Sequence, residues 1–230
     1  MKKLIPIYLL IILLIASNCK NNGQAGRKDE QDTLGMKAEN LRKEWQKKLS
    51  SMNIRELHEQ LKGESVKGLE PFNSMALKEV VSRGKSSSGE LASLINENNR
   101  SSFLSLMALK EVDPEKFQTL PDSLRVQILT DALKNATTFN AFGLPHLRWE
   151  AAAKTIIEMG DAAKNNLREL LKDQRPAPVW GSEDYQEYLK FKYRVCDYAY
   201  AMLVSRGDPV SVPENPEERD KLIQALTEQK

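Results

Sequence analysis

The chain has 230 residues, with 34 lysines and arginines against 32 aspartates and glutamates, two histidines and two cysteines. That near balance carries no electrostatic footprint for nucleic acid. His58 and His146 are 88 positions apart and Cys19 and Cys196 are also distant, so no metal-ligand spacing exists and no cofactor is implied. The chain also lacks a G-x-S-x-G elbow, a phosphate loop and an H-E-x-x-H helix.

The N-terminus reads MKKLIPIYLLIILLIASNCKNN. Lys2 and Lys3 form a basic start, and residues 4–16 form an apolar run. That run is shorter than the ~20 residues that span a bilayer, and it fits a secretory signal. Ala16, Ser17 and Asn18 then precede Cys19. This order resembles a bacterial lipoprotein signal with a relaxed lipobox, since Ala16 stands where Leu is usual and Asn18 where Gly or Ala is usual. The resemblance implies removal of residues 1–18, lipid on Cys19, and a membrane location facing the periplasm or the cell surface. An ordinary signal peptide, or an uncleaved anchor, fits the same residues. Loss of residues 1–18 would remove two lysines and leave 32 bases against 32 acids.

Residues 19–35 are polar and lack periodicity. They read as a tether, a flexible coil that spans roughly 20 Å. From residue 36 to 230 the pattern is helical. Leu41, Trp45, Leu49 and Met52 fall on one stripe. Asn53 is placed to cap a second helix carrying Ile54, Leu57 and Leu61, with Gly63 as its stop. Phe72, Met75, Ala76 and Val80 share a face that ends at Gly84, and Leu91, Leu94 and Ile95 follow. Phe103, Leu106, Met107 and Leu109 begin a similar unit, broken at Asp113-Pro114. Val126, Leu129 and Leu133 form the next stripe. The stretch ATTFNAFGLP reads as a loop with Phe139 and Phe142 exposed. No strand-like alternation bounded by turns is found.

The segment MALKEV occurs at 75–80 and again at 107–112, and SRG at 82–84 and 205–207. The stretch LRWEAAAKTIIEMGDAAKNNLRELLKD resembles a HEAT-like repeat of the PBS-lyase type. Arg148 and Ala152 match its small-residue helix, Gly160 and Ala163 its turn, and Leu167, Leu170 and Leu171 its second helix. YRVCDYAYAMLVSRGDP, at 193–209, resembles the first helix of another repeat. The match is best over 145–209. It implies an all-α fold, a short α-solenoid of HEAT-like helical hairpins occupying 36–230. Stacked hairpins bury a continuous core that none could bury alone. On this reading the two MALKEV copies hold one packing position in successive units. Two unrelated helices of a bundle are the alternative. The repeat is a scaffold and licenses no activity.

The aromatic residues are unevenly placed. Five of the six tyrosines lie in 185–200, next to Phe191 and Trp180 and after the long loop DQRPAPVWGSED. One helix over about 184–206 would bury Leu189, Val195, Ala199, Met202 and Leu203. Tyr193 would lie about 140° round from Tyr188, outside that stripe. Tyr, Trp and Arg dominate interface hot spots. The first functional expectation is therefore a lipid-anchored scaffold that binds a protein partner through Arg175, Trp180, Tyr185, Tyr188, Arg194 and Tyr198. The bland alternative makes these rings the cap of the terminal core. A different class, an enzyme using Asp173, Arg194 and Asp197 for acid–base work, requires perturbed pKa values. A purely structural envelope lipoprotein is the third expectation. Cys196 reads as a small buried residue in a helix.

Overall fold

The computed structural model describes residues 26–67, 74–98, 101–135, 141–177 and 181–228, with the backbone alone over 26–34, 63–67 and 181–184. The expected signal at 1–18, Cys19, Phe72, Phe139 and Trp180 lie outside the described residues. The chain divides into two units, residues 1–51 and 52–230.

The described residues of the first unit form one helix, α1, Gly26–Ser51. It starts ten residues before the expected boundary at 36, so residues 26–35 of the expected coil are helical. Lys, Arg, Glu and Gln dominate this stretch, and such unbranched side chains lose little freedom in a helix. Glu39 and Lys43 pair one turn apart at 3.7 Å, and the Lys48 ammonium lies 5.0 Å from the Trp45 ring centre.

The described residues of the second unit are helical, with one short hairpin. Its elements are α2 Ile54–Lys67, α3 Met75–Ser82, α4 Ser88–Leu94, α5 Ser102–Val112, α6 Pro114–Thr119, α7 Asp122–Asn135, β1 Gly143–Leu144, β2 Arg148–Trp149, α8 Ala151–Glu158, α9 Asp161–Leu170, α10 Gly181–Phe191, α11 Val195–Val204 and α12 Pro216–Glu228. Asn53 caps α2 as expected. Its side-chain oxygen accepts from the Glu56 amide at 2.9 Å, and the Glu56 carboxylate accepts from the Asn53 amide at 2.8 Å. Gly63 does not stop this helix, which continues to Lys67. Asp113-Pro114 does punctuate the chain. Asp113 accepts from the Lys116 amide at 3.1 Å, and Pro114 takes the first position of α6, where no amide proton is needed.

The main packing runs between near neighbours in chain order. Helix α2 packs on α3, α4 and α5, α3 on α5, and α5 on α6 and α7. Helix α7 packs on α8 and α9, both α8 and α9 pack on α11, and α11 packs on α12. The expected stripes are buried: Val126, Leu129 and Leu133 of α7, Ala152 and Ile156 of α8, and Leu167 and Leu170 of α9. Gly160, at φ +55°, turns the chain between α8 and α9. The two MALKEV segments lie at opposite ends of their helices, opening α3 and closing α5. Ala76, Leu77, Ala108 and Leu109 are all buried, but Glu79 is buried where Glu111 is exposed. Identical residues therefore share the apolar positions and not the register within the helix.

Three further features depart from the sequence expectation. A hairpin pairs Gly143 with Trp149 and Leu144 with Arg148. Arg148, expected in a helix, lies in its second strand. Each strand has two residues, too few for alternation to register. Gly143 has φ +81°, and a Cβ there would collide with the Arg148 carbonyl oxygen. Phe142, expected in an exposed loop, is fully buried and stacks on Phe103 at 6.4 Å between ring centres. The expected single helix over 184–206 is broken into α10 and α11 at Lys192, whose φ is +49°. The break turns Leu189 out of the expected core stripe, leaving it 48 % exposed.

Candidate functional site

The aromatic residues and most of the candidate polar residues meet where the hairpin, α10, the start of α11 and α12 come together. The geometry begins with Asp197 at the third position of α11. Its Oδ2 accepts from the Arg194 amide at 2.8 Å and from Arg194 Nε at 3.1 Å. A carboxylate is favourable there, since the first helical amides are unpaired and the dipole is positive. Oδ1 of Asp197 accepts from Arg194 Nη2 at 2.9 Å and lies 3.2 Å from Arg219 Nε. The second contact has ion-pair range without hydrogen-bond alignment, so it acts through charge more than direction. Asp197 is 0 % exposed, and Arg194 also reaches Asp220 at 2.8 Å and the Gln174 side chain. Two guanidiniums and two carboxylates thus balance in charge around a buried centre. The Asp197 hydrogen bond raises the pKa of Arg194 above its ordinary value and keeps it charged.

Arg219 carries the network to the backbone. Its Nη2 donates to the Phe191 carbonyl at 2.7 Å and its Nη1 to the Pro213 carbonyl at 3.1 Å. The guanidinium also lies 5.1 Å from the Tyr193 ring centre. One buried side chain therefore ties α12 to the α10–α11 junction.

The segment 173–177 lies against the same junction. The Asp173 carbonyl accepts from the Cys196 amide at 2.9 Å, Arg175 O from the Val195 amide at 2.9 Å, and Tyr193 O from the Ala177 amide at 3.0 Å. Arg175 Nη2 contacts the Asp173 carboxylate at 2.5 Å, which holds that carboxyl below its ordinary range. Burial, reinforced by the Asp197 charge, pushes the Cys196 thiol up to about 12. A thiol so disfavoured as thiolate is a poor nucleophile.

The rings occupy two kinds of place. Tyr198 is 1 % exposed, and its hydroxyl donates to the Gly143 carbonyl at 2.6 Å. It is therefore a core residue, in contrast to its expected place in a contact surface. Tyr193 and Phe191 are also buried, stacked at 5.3 Å between ring centres. Tyr185 is 49 % exposed beside a half-buried Tyr188, their rings 6.4 Å apart, and exposed Leu189 lies one turn further along α10. Arg175 is exposed, whereas Arg194 is mostly enclosed by its ion pairs.

His146, Arg219, Glu187 and Asp220 were not among the expected site residues. His146 Nδ1 lies 2.7 Å from Tyr193 Oη, and its Nε2 lies 3.3 Å from Glu187 Oε2. Its ring also packs on Phe191 at 4.6 Å between centres. Burial lowers the His146 pKa from its ordinary value. In sequence Arg219 sits in the charged run PEERDKL, which reads as an ordinary solvated helix face. No local signal separates it from its neighbours.

The acid–base expectation meets carboxylates that are already engaged. Asp173 is held as an anion by Arg175, whereas a general acid needs the opposite shift. Both carboxylate oxygens of Asp197 are taken up by contacts with arginines. Among the described residues no group of three His, Cys, Asp or Glu could hold a metal ion, and no helix is long and apolar enough to cross a membrane. Comparison with known families, with curated proteins and with solved structures finds no match to this chain.

Proposed function

We propose that this chain is a bacterial cell-envelope protein, lipid-anchored at Cys19, whose helices form a short HEAT-like α-solenoid that binds a protein partner. Chain-order packing of successive helices supports the solenoid, because repeat arrays make contacts mainly between neighbours. The order of basic, apolar and small residues before Cys19 supports the anchor. The observation that carries the binding reading is the α10 face of Tyr185, Tyr188 and Leu189, which leaves large apolar groups in water. Such groups desolvate with gain when a partner covers them. Arg175, exposed in the segment before α10, would exchange its Asp173 contact for a partner carboxylate. Arg194 and Tyr198 act behind this face, fixing α11 and the hairpin.

A photoactivatable crosslinker placed at Tyr185 in intact cells tests this reading. A single defined protein adduct is expected from position 185 and none from the exposed control position Lys164. Absence of an adduct at 185, or the same adducts at both positions, would overturn it. The substitution Tyr185→Ala with Leu189→Ser should remove the adduct formed from a crosslinker at Tyr188. It should change folding stability by less than about 0.5 kcal/mol, as exposed substitutions usually do.

A further inference from the structure

Helix α10 ends at Phe191, and Lys192 follows with φ +49°. The Lys192 amide donates to the Tyr188 carbonyl at 2.7 Å and closes the last turn. A left-handed residue at this place is usually glycine or asparagine, because a Cβ is crowded there. The turn itself is fixed by its neighbours: the Phe191 carbonyl accepts from Arg219, and Tyr193 is buried. The fold therefore uses the backbone of residue 192. Its side chain is exposed and makes no hydrogen bond or ion pair among the described residues. The helix dipole favours a cation at this end, a demand that exposed Lys190 already meets.

The other cations around the α10 face are already engaged. Lys190 pairs with Glu214 at 2.9 Å and Arg175 with Asp173 at 2.5 Å. Each must give up a carboxylate before it meets another, whereas Lys192 gives up only water. Lys192 lies one turn beyond Tyr188, at the end of the face formed by Tyr185, Tyr188 and Leu189. We propose that Lys192 reads charge for this face, and that the partner is an acidic protein segment that sets an Asp or Glu carboxylate beside an apolar side chain. The apolar group covers Tyr185 and Leu189, and the carboxylate meets Lys192.

A single cation without a counter-ion selects this class of partner. An anionic lipid surface takes clusters of about four to eight lysines and arginines, and nucleic acid takes a basic stripe. The stretch 181–192 holds two lysines and no arginine, and one of those lysines is paired. A charge pair at the rim of an apolar contact contributes chiefly to the choice of partner and to the association rate. This role of Lys192 rests on the docking role proposed for α10.

Photocrosslinking from position 185 of the full chain in intact cells tests this role. Lys192→Glu should lower the yield of the protein adduct about fivefold or more, Lys192→Arg should keep it, and Lys164→Glu on α9 should leave it unchanged. The partner peptide, identified by mass spectrometry, should carry net negative charge. Replacing its carboxylate by lysine should restore the adduct with Lys192→Glu. Lys192→Gly should also lower the yield, without lowering the melting temperature, because glycine relieves the left-handed backbone. An undiminished adduct in Lys192→Glu or Lys192→Gly, a partner peptide of net positive charge, or an adduct to lipid or to a second copy of this chain would overturn the role. So would a melting temperature lowered by more than about 2 °C in Lys192→Gly, since that would make the lysine a structural residue. An adduct that forms in the wild type and ignores Lys192 leaves the docking role of α10 standing. Absence of any adduct in the wild type removes that docking role, and the role of Lys192 with it.

Discussion

The Arg219 guanidinium lies 5.1 Å from the centre of the Tyr193 ring while its Nε lies 3.2 Å from Asp197. Tyr193 and Asp197 thereby share one buried cation that comes from 26 and 22 positions further along the chain. The same side chain donates to Phe191 O, so a single group links α12, the α10–α11 break and the start of α11. A charge of this kind is tolerated because Asp197 supplies the counter-charge and the Phe191 and Pro213 carbonyls accept from the guanidinium.

Arg219→Met should destabilise the second unit by about 3–5 kcal/mol, the usual consequence of removing one member of a buried pair. Urea unfolding with a helix-sensitive probe measures it. The companion variant Asp220→Asn removes only the exposed end of the network, and its effect should stay below about 1 kcal/mol.

Ala152 is fully buried in α8. Ala152→Asp brings a carboxylate into that contact without a partner, so a loss of about 3 kcal/mol or more is expected. Ala152→Gly creates no charge and should cost only about 1 kcal/mol, chiefly through helix propensity. Thermal melts of the two variants separate burial from propensity.

Acid should weaken the fold through both histidines. Burial lowers the pKa of His58, whose Nδ1 lies 2.7 Å from Ser105 Oγ, and burial lowers that of His146. A histidine whose folded pKa lies below its unfolded value binds fewer protons when folded. Its stabilising contribution is complete above pH 6.5 and is lost as pH falls towards the folded pKa. Denaturant midpoints should therefore fall between pH 7.5 and 5. The double variant His58→Gln with His146→Gln should flatten that dependence.

Cys19→Ser should abolish incorporation of labelled fatty acid and move the chain from the detergent phase to the aqueous phase. Equal labelling of the variant would remove the lipid anchor from the proposal.

Residues 52–230 were legible in the sequence wherever a local pattern decides the outcome. The stripe of Val126, Leu129 and Leu133 is buried as its spacing predicts, because a 3.6-residue period places those side chains on one face. Asn53, Asp113 and Gly160 mark boundaries for equally local reasons: a side-chain acceptor for free amides, a proline at a helix start, and a left-handed turn. The early start of α1 was missed because tolerance of helix by charged, unbranched residues has no apolar period.

The tertiary structure decided the aromatic segment. Tyr185 and Tyr198 are the same residue type in one tyrosine-rich stretch, yet one is half exposed and the other is core. The difference comes from the break at Lys192 and from the Gly143 carbonyl, 55 residues away, which receives the Tyr198 hydroxyl. Arg219 and His146 likewise take their roles from distant groups: Asp197 and Phe191 for the first, Tyr193 and Glu187 for the second. Periodicity determines which side of a helix turns inward, because that follows from the backbone of the helix alone. Which buried charge meets which carbonyl depends on how helices from separate parts of the chain pack, and only the folded arrangement contains that information.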